Sequence, residues 1–141
     1  MARQLALSLD RWPVPLPDGS YDRESAHRYG FEQRCGGGRV CINLLVLEVV
    51  PDLYIQASEI ILGEICKSTA LRLSARNRFD SPEAALLASV NRAARELKQS
   101  RRASGLYPEY QTTLLRATNW MEDIMQQCDY LLERQAKLFS W

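Results

Sequence analysis

The chain has 141 residues, 46% of them apolar and 25% charged, with a formal net charge of +1. That length is enough for one domain with a real hydrophobic core and no covalent staples, and the composition is that of an ordinary globular protein. The near-zero net charge excludes a global attraction to nucleic acid or to an acidic membrane surface, and the single histidine, His27, excludes a metal site built on a histidine pair.

The first ten residues carry one arginine and a broken apolar run, followed by Trp12 and three prolines, which is not the pattern of a secretory signal. Four cysteines without such a signal point to a reducing compartment and free thiols, so a cytosolic (cytoplasmic) location is expected. The longest apolar block, Val40 to Val50, stops at Pro51 and is too short for a membrane span.

Along the chain, Gln4 to Leu9 alternates apolar and polar residues and reads as a short half-buried strand. Trp12 to Ser20 follows, where Pro13, Pro15 and Pro17 forbid helix and favour an extended path into a turn at Asp18-Gly19. Tyr29 to Cys35 and Arg39 to Val50 are strand-like runs on either side of Gly36-Gly37-Gly38. Glycine takes positive φ freely, so the pair reads as an antiparallel hairpin. The nearly continuous apolarity of the second run predicts a central strand covered on both faces.

Asp52 is placed to cap a helix running from 52 to about 75, with Leu53, Ala57, Ile61, Ile65 and Leu73 near one face. Ser81-Pro82-Glu83 is a second helix start: a capping hydroxyl, a proline at the first helical position and a carboxylate in the first turn. Leu86, Val90, Ala93 and Leu97 mark its apolar seam, and Ser104-Gly105 its end. Pro108 then opens a terminal helix to Phe139, whose seam is Leu114, Ala117, Met121, Ile124, Cys128, Leu131, Gln135 and Leu138, with Met125, Leu132 and Phe139 beside it. The expected fold is therefore α+β: one domain over 1–141 with a strand-rich part at 1–50 and a helical part at 52–141. It comprises a short N-terminal antiparallel sheet with about three helices, ending in a long antiparallel helical hairpin.

The two last helices differ in length, about 34 Å against about 48 Å at 1.5 Å per residue. About ten residues at the end of the second therefore overhang the first. The helix at 52–75, the sheet, or a second copy of the chain must cover Leu131, Leu132, Leu138 and Phe139. A homodimer along this helix is the expected solution, with Trp120 and Trp141 as further anchors because indole rings are seldom left without contact.

No catalytic or cofactor fingerprint rises above background. His27, Cys35, Cys41 and Cys66 are the residue types of a zinc tetrahedron, but the five-residue gap between Cys35 and Cys41 lacks the tight knuckle of structural zinc, and no metal or cofactor is expected. A Cys-His nucleophile pair using Cys35 or Cys41 with His27 would make a small enzyme near that hairpin. Cys128, on the seam, reads as a small core hydrophobe. Arg92, Arg95, Lys98, Arg101 and Arg102 recur along the helix at 82–102, partly opposite its apolar seam, as a phosphate-tracking surface would require, although no aromatic residues interleave them. The favoured expectation is a non-enzymatic adaptor or regulator of bacterial or phage type. It would act through protein–protein contacts as a homodimer, with a nucleic-acid-binding regulator as the alternative.

Overall fold

A computed structural model of the chain describes residues 12–36, 38–104 and 109–139, the side chains of 101–104, 109, 138 and 139 excepted. Four strands, β1 (His27–Cys35), β2 (Gly38–Val50), β3 (Leu53–Leu62) and β4 (Ile65–Ser68), form an antiparallel meander in the order β1-β2-β3-β4. Two helices follow, α1 (Pro82–Ser104) and α2 (Glu109–Phe139). A single turn of 3₁₀ helix, Arg23–Ser25, precedes β1. The strand expected at Gln4–Leu9 lies outside the described residues.

The glycine hairpin is as the sequence predicts. Cys35 pairs with Gly38, Gly36 takes φ 55, and Tyr29 to Cys35 runs antiparallel to the strand after it. Gly38 has a second reason to be glycine: the phenol of Tyr110, at the start of α2, lies against it, and a Cβ there would collide with the hydroxyl. The turn at Asp18-Gly19 also forms. Gly19 has φ 87, and the Asp18 carboxylate accepts hydrogen bonds from the Ser20 amide at 2.9 Å and the Ser20 hydroxyl at 2.6 Å.

The helix expected over 52–75 does not exist, so the described residues form a four-stranded sheet followed by two helices rather than a short sheet and about three helices closing in a hairpin. Residues 53–62 and 65–68 are β3 and β4, and the strand-rich part reaches residue 68 instead of ending at 50. Asp52 caps nothing. It stands at φ 63 in the two-residue turn that pairs Val50 with Leu53, where Pro51 supplies the fixed φ of the preceding position and the Glu48 carboxylate accepts the Asp52 amide at 3.3 Å. Gly63, at φ 63, makes the next turn between Leu62 and Ile65. The alternation Leu53-Ile55-Ala57 is thus a strand period, and β-branched residues at 55, 60 and 61 favour it.

Strand β2 is central and covered on both faces. Val40, Ile42 and Leu44 face the helices and pack with Ile60, Leu62, Val90, Ala93, Leu97, Leu114, Ala117 and Met121. Leu45, Leu47 and Val49 face the other way and pack with Ile55, Ala57 and Leu71 beneath Tyr21, Ala26 and Leu53. That second face is roofed at one end by the segments on either side of the sheet. Tyr21 donates its amide to the Leu71 carbonyl at 2.8 Å, and Ser20 bridges to Arg72. Asn77 lends its side-chain amide to Gln56 as another strand would, accepting from the Gln56 amide at 3.0 Å and donating to its carbonyl at 2.9 Å. At the other end the face is polar, with Asn43 donating to Glu59 at 3.0 Å and Arg23 donating to the Thr69 carbonyl at 2.9 Å.

Helix α1 starts as its sequence requires. The Ser81 hydroxyl accepts the Ala84 amide at 3.1 Å. Ser89, fully buried, donates to the Ala57 carbonyl at 2.7 Å and fixes the helix to β3.

Candidate protein-binding face

Helix α2 crosses β1 and runs antiparallel to α1, since Gln135 near its end donates to Glu83 in the first turn of α1 at 3.2 Å. Its seam changes character along its length. Leu114, Ala117, Met121 and Cys128 are buried, Ile124 and Met125 are partly covered, and Leu131 is 41% exposed. The sheet covers the first half: Trp120 packs on Phe31 with ring centroids 5.8 Å apart, and Arg116 reaches Gln33 at 3.3 Å. Tyr29 is the last β1 residue to reach α2. Past it, no third α-helix among the described residues covers the remainder.

Where the cover ends, a groove of about 220 Å³ opens between the three elements, lined by Tyr29, Pro82, Glu83, Leu86, Ile124, Gln127, Cys128 and Leu131. Burial raises the Tyr29 phenol and the Cys128 thiol above their ordinary values. Cys128 and Glu83 add to the shift at Tyr29, and Asp129 and Glu83 to that at Cys128. Cys128 is therefore a protonated, inert floor to the groove rather than a nucleophile. Tyr130, 59% exposed, stands beside the rim with the Arg134 guanidinium 5.9 Å above its ring.

The same flank carries the free edge of the sheet. Strand β1 is an edge strand with β2 as its sole neighbour among the described residues, so alternate residues along it turn their backbone N–H and C=O groups away from the sheet. Arg28, Glu32 and Arg34 place charge on that edge and stand exposed.

Of the residues singled out by sequence, Trp120 and Leu131 lie on this flank, and Leu132 is partly buried. Trp120 is an internal anchor for β1 rather than a bare surface ring. The side chains of Leu138 and Phe139, and all of Trp141, lie outside the described residues. The groove walls Tyr29 and Leu86 were missed as site residues. For Tyr29 the available signal was its alternation with Phe31, which puts both on one strand face, and for Leu86 it was the α1 seam.

Arg92, Arg95 and Lys98 are exposed on α1, and the side chains of Arg101 and Arg102 lie outside the described residues. Lys67 of β4 joins Arg92 at a shallow depression with Glu96, a cation that helical spacing alone does not reveal. The cysteine–histidine pair is not assembled. His27 and Cys35 stand at opposite ends of β1, about 26 Å apart along the strand. Cys35 faces the helices, whereas Cys41 lies on the opposite face against Asn43, its thiol pushed up by burial and by Glu32. Cys66 is exposed on β4, and the described residues bring no three His, Cys, Asp or Glu side chains together in a metal-binding group. No described helix is long and apolar enough to cross a membrane.

No family model, curated protein or solved structure matches this chain.

Proposed function

We propose that the chain is a protein–protein interaction module, an adaptor or regulator, that self-associates through the second half of α2. The observation that carries this reading is the emergence of one continuous apolar seam from the core: buried at Leu114, Ala117 and Met121, it becomes solvent-facing at Leu131, next to an apolar groove and an open strand edge. Fully burying a leucine is worth roughly 1.5–3 kcal/mol, and a two-fold contact buries each exposed seam residue twice. Sedimentation velocity tests it. The wild type should sediment as a dimer and Leu131→Asp as a folded monomer. A wild type that stays monomeric at every concentration would overturn it, as would a variant that loses its fold.

A second reading is favoured by Lys67 beside Arg92, which extends the basic face of Arg92, Arg95 and Lys98 from α1 onto the sheet. A nucleic-acid-binding regulator would use that face to neutralise phosphates. Its affinity would then fall with salt, the log–log slope shrinking by about 0.9 for each contact removed from duplex DNA.

A further inference from the structure

Helix α1 begins at Pro82, and the last rungs of the sheet extend past it. Two of these rungs pair His27 with Val46 and Glu48 with Tyr54. The result is a cleft of about 720 Å³ that adjoins the groove at Leu131 through Tyr29 and Pro82, walled by Trp12 and Pro13 on one side and by His27, Tyr29, Glu48, Tyr54 and Pro82 on the others. Its lining joins three large aromatic side chains, an imidazole and one carboxylate. His27 and Tyr29 already pack ring against ring, 4.7 Å apart. Among the described residues that line the cleft there is no lysine or arginine.

The carboxylate is held ready. Glu48 lies across the ladder from Tyr54 and accepts the amide of Asp52 at 3.3 Å. A carboxylate offers about four lone-pair directions, so acceptor capacity is left for an incoming donor. Asp52 and Glu83 add negative charge around Tyr54 without entering the lining. Flat aromatic faces beside a carboxylate, with no lysine or arginine among the described lining residues, match one side chain better than others. A guanidinium is planar, stacks on rings, donates in a fork to a carboxylate and sheds water more readily than an ammonium.

We propose that this cleft receives the arginine side chain of a partner protein. The site does not include Leu131, although it shares Tyr29 and Pro82 with the groove beside that residue.

The test uses the full chain and two probes: a blocked glycine–arginine–glycine tripeptide and the same peptide with neutral citrulline for arginine. Titration followed by amide and indole NMR should shift the Trp12 indole and the amides of His27, Tyr29 and Tyr54. Citrulline should bind at least about tenfold more weakly, the loss expected when a charge-assisted hydrogen bond is given up. Glu48→Gln should weaken the arginine peptide by about the same factor. Asp123→Asn, on the exposed side of α2, should leave its affinity unchanged. The proposal is overturned if the arginine peptide shifts none of these resonances at millimolar concentration, if citrulline binds equally well, or if Glu48→Gln binds like wild type. Should Glu48→Gln lose the native spectrum, the citrulline comparison on the wild-type chain decides.

Discussion

The two halves of α2 share one heptad pattern and have opposite fates. From Tyr110 to Met121 the seam lies between β1, β2 and α1, and its residues are the floor of the main core. From Cys128 onward the same spacing continues, yet Leu131 and Tyr130 face solvent beside a groove. Periodicity states which residues share a face; only the length of the neighbouring elements decides how much of that face is covered. Helix α1 runs alongside α2 as far as Gln135, which bonds to Glu83 in its first turn, but Tyr29 is the one β1 residue that lines the groove, so on the sheet side the cover ends there among the described residues.

The sharpest way to break this contrast is to truncate the seam in each half. Leu114→Ala should cost about 2–5 kcal/mol in denaturant unfolding, as for other fully buried leucines, while Leu131→Ala in the monomer should cost less than about 1 kcal/mol. Equal losses would mean that the second half is as enclosed as the first. Gly38→Ala tests how the first half is seated. The added methyl must displace the Tyr110 phenol, and overpacking of this kind costs about 1–3 kcal/mol. Adding Tyr110→Phe, which removes the colliding hydroxyl, should recover part of that loss. Ser81→Ala removes the cap that sets where α1 begins and hence where the groove opens. The expected loss is about 1 kcal/mol, and an unchanged midpoint would show that the 3.1 Å bond to Ala84 contributes nothing.

The smallest effect is spectroscopic and concerns the cleft past α1. The hydrogen bond to Glu48, with burial and the charges of Glu48, Asp52 and Glu83 behind it, pushes the Tyr54 phenol up to about 12 from an ordinary 10.0. A folded value above the unfolded one means that this contribution to stability is complete below pH 10 and is lost as pH rises through 12. Tyr29 is raised as well, so ultraviolet titration should show a late-ionising component that shrinks by one tyrosine in Tyr54→Phe. An unaltered titration curve in that variant would contradict the Glu48 bond.

Much of this architecture was legible in local chemistry. The three-glycine turn, the both-faces-apolar run of β2 and the Ser-Pro-Glu start of α1 each carry a stereochemical reason within a few residues. The region 52–75 was misread because Asp52 serves both as a helix cap and as a residue able to adopt positive φ after proline. Leu53, Ala57 and Ile61 fit a helix face while Leu53, Ile55 and Ala57 fit a strand face. Pairing with β2, a contact the local pattern does not contain, decides between them. The groove was half legible: the α2 seam named Leu131, but its walls at Tyr29 and Leu86 come from elements distant in sequence. The aromatic cleft was invisible, since Trp12, Tyr29, Tyr54 and Pro82 meet only after the sheet and α1 are docked.

Amide hydrogen exchange measured across a dilution series tests the central contrast most directly. If α2 is core in its first half and interface in its second, amides from about 127 to 137 should lose protection as the protein is diluted, while those from 110 to 121 keep theirs. Protection that is independent of concentration in both halves, or lost from both together, would contradict the assignment of Leu131 and its neighbours to a binding face.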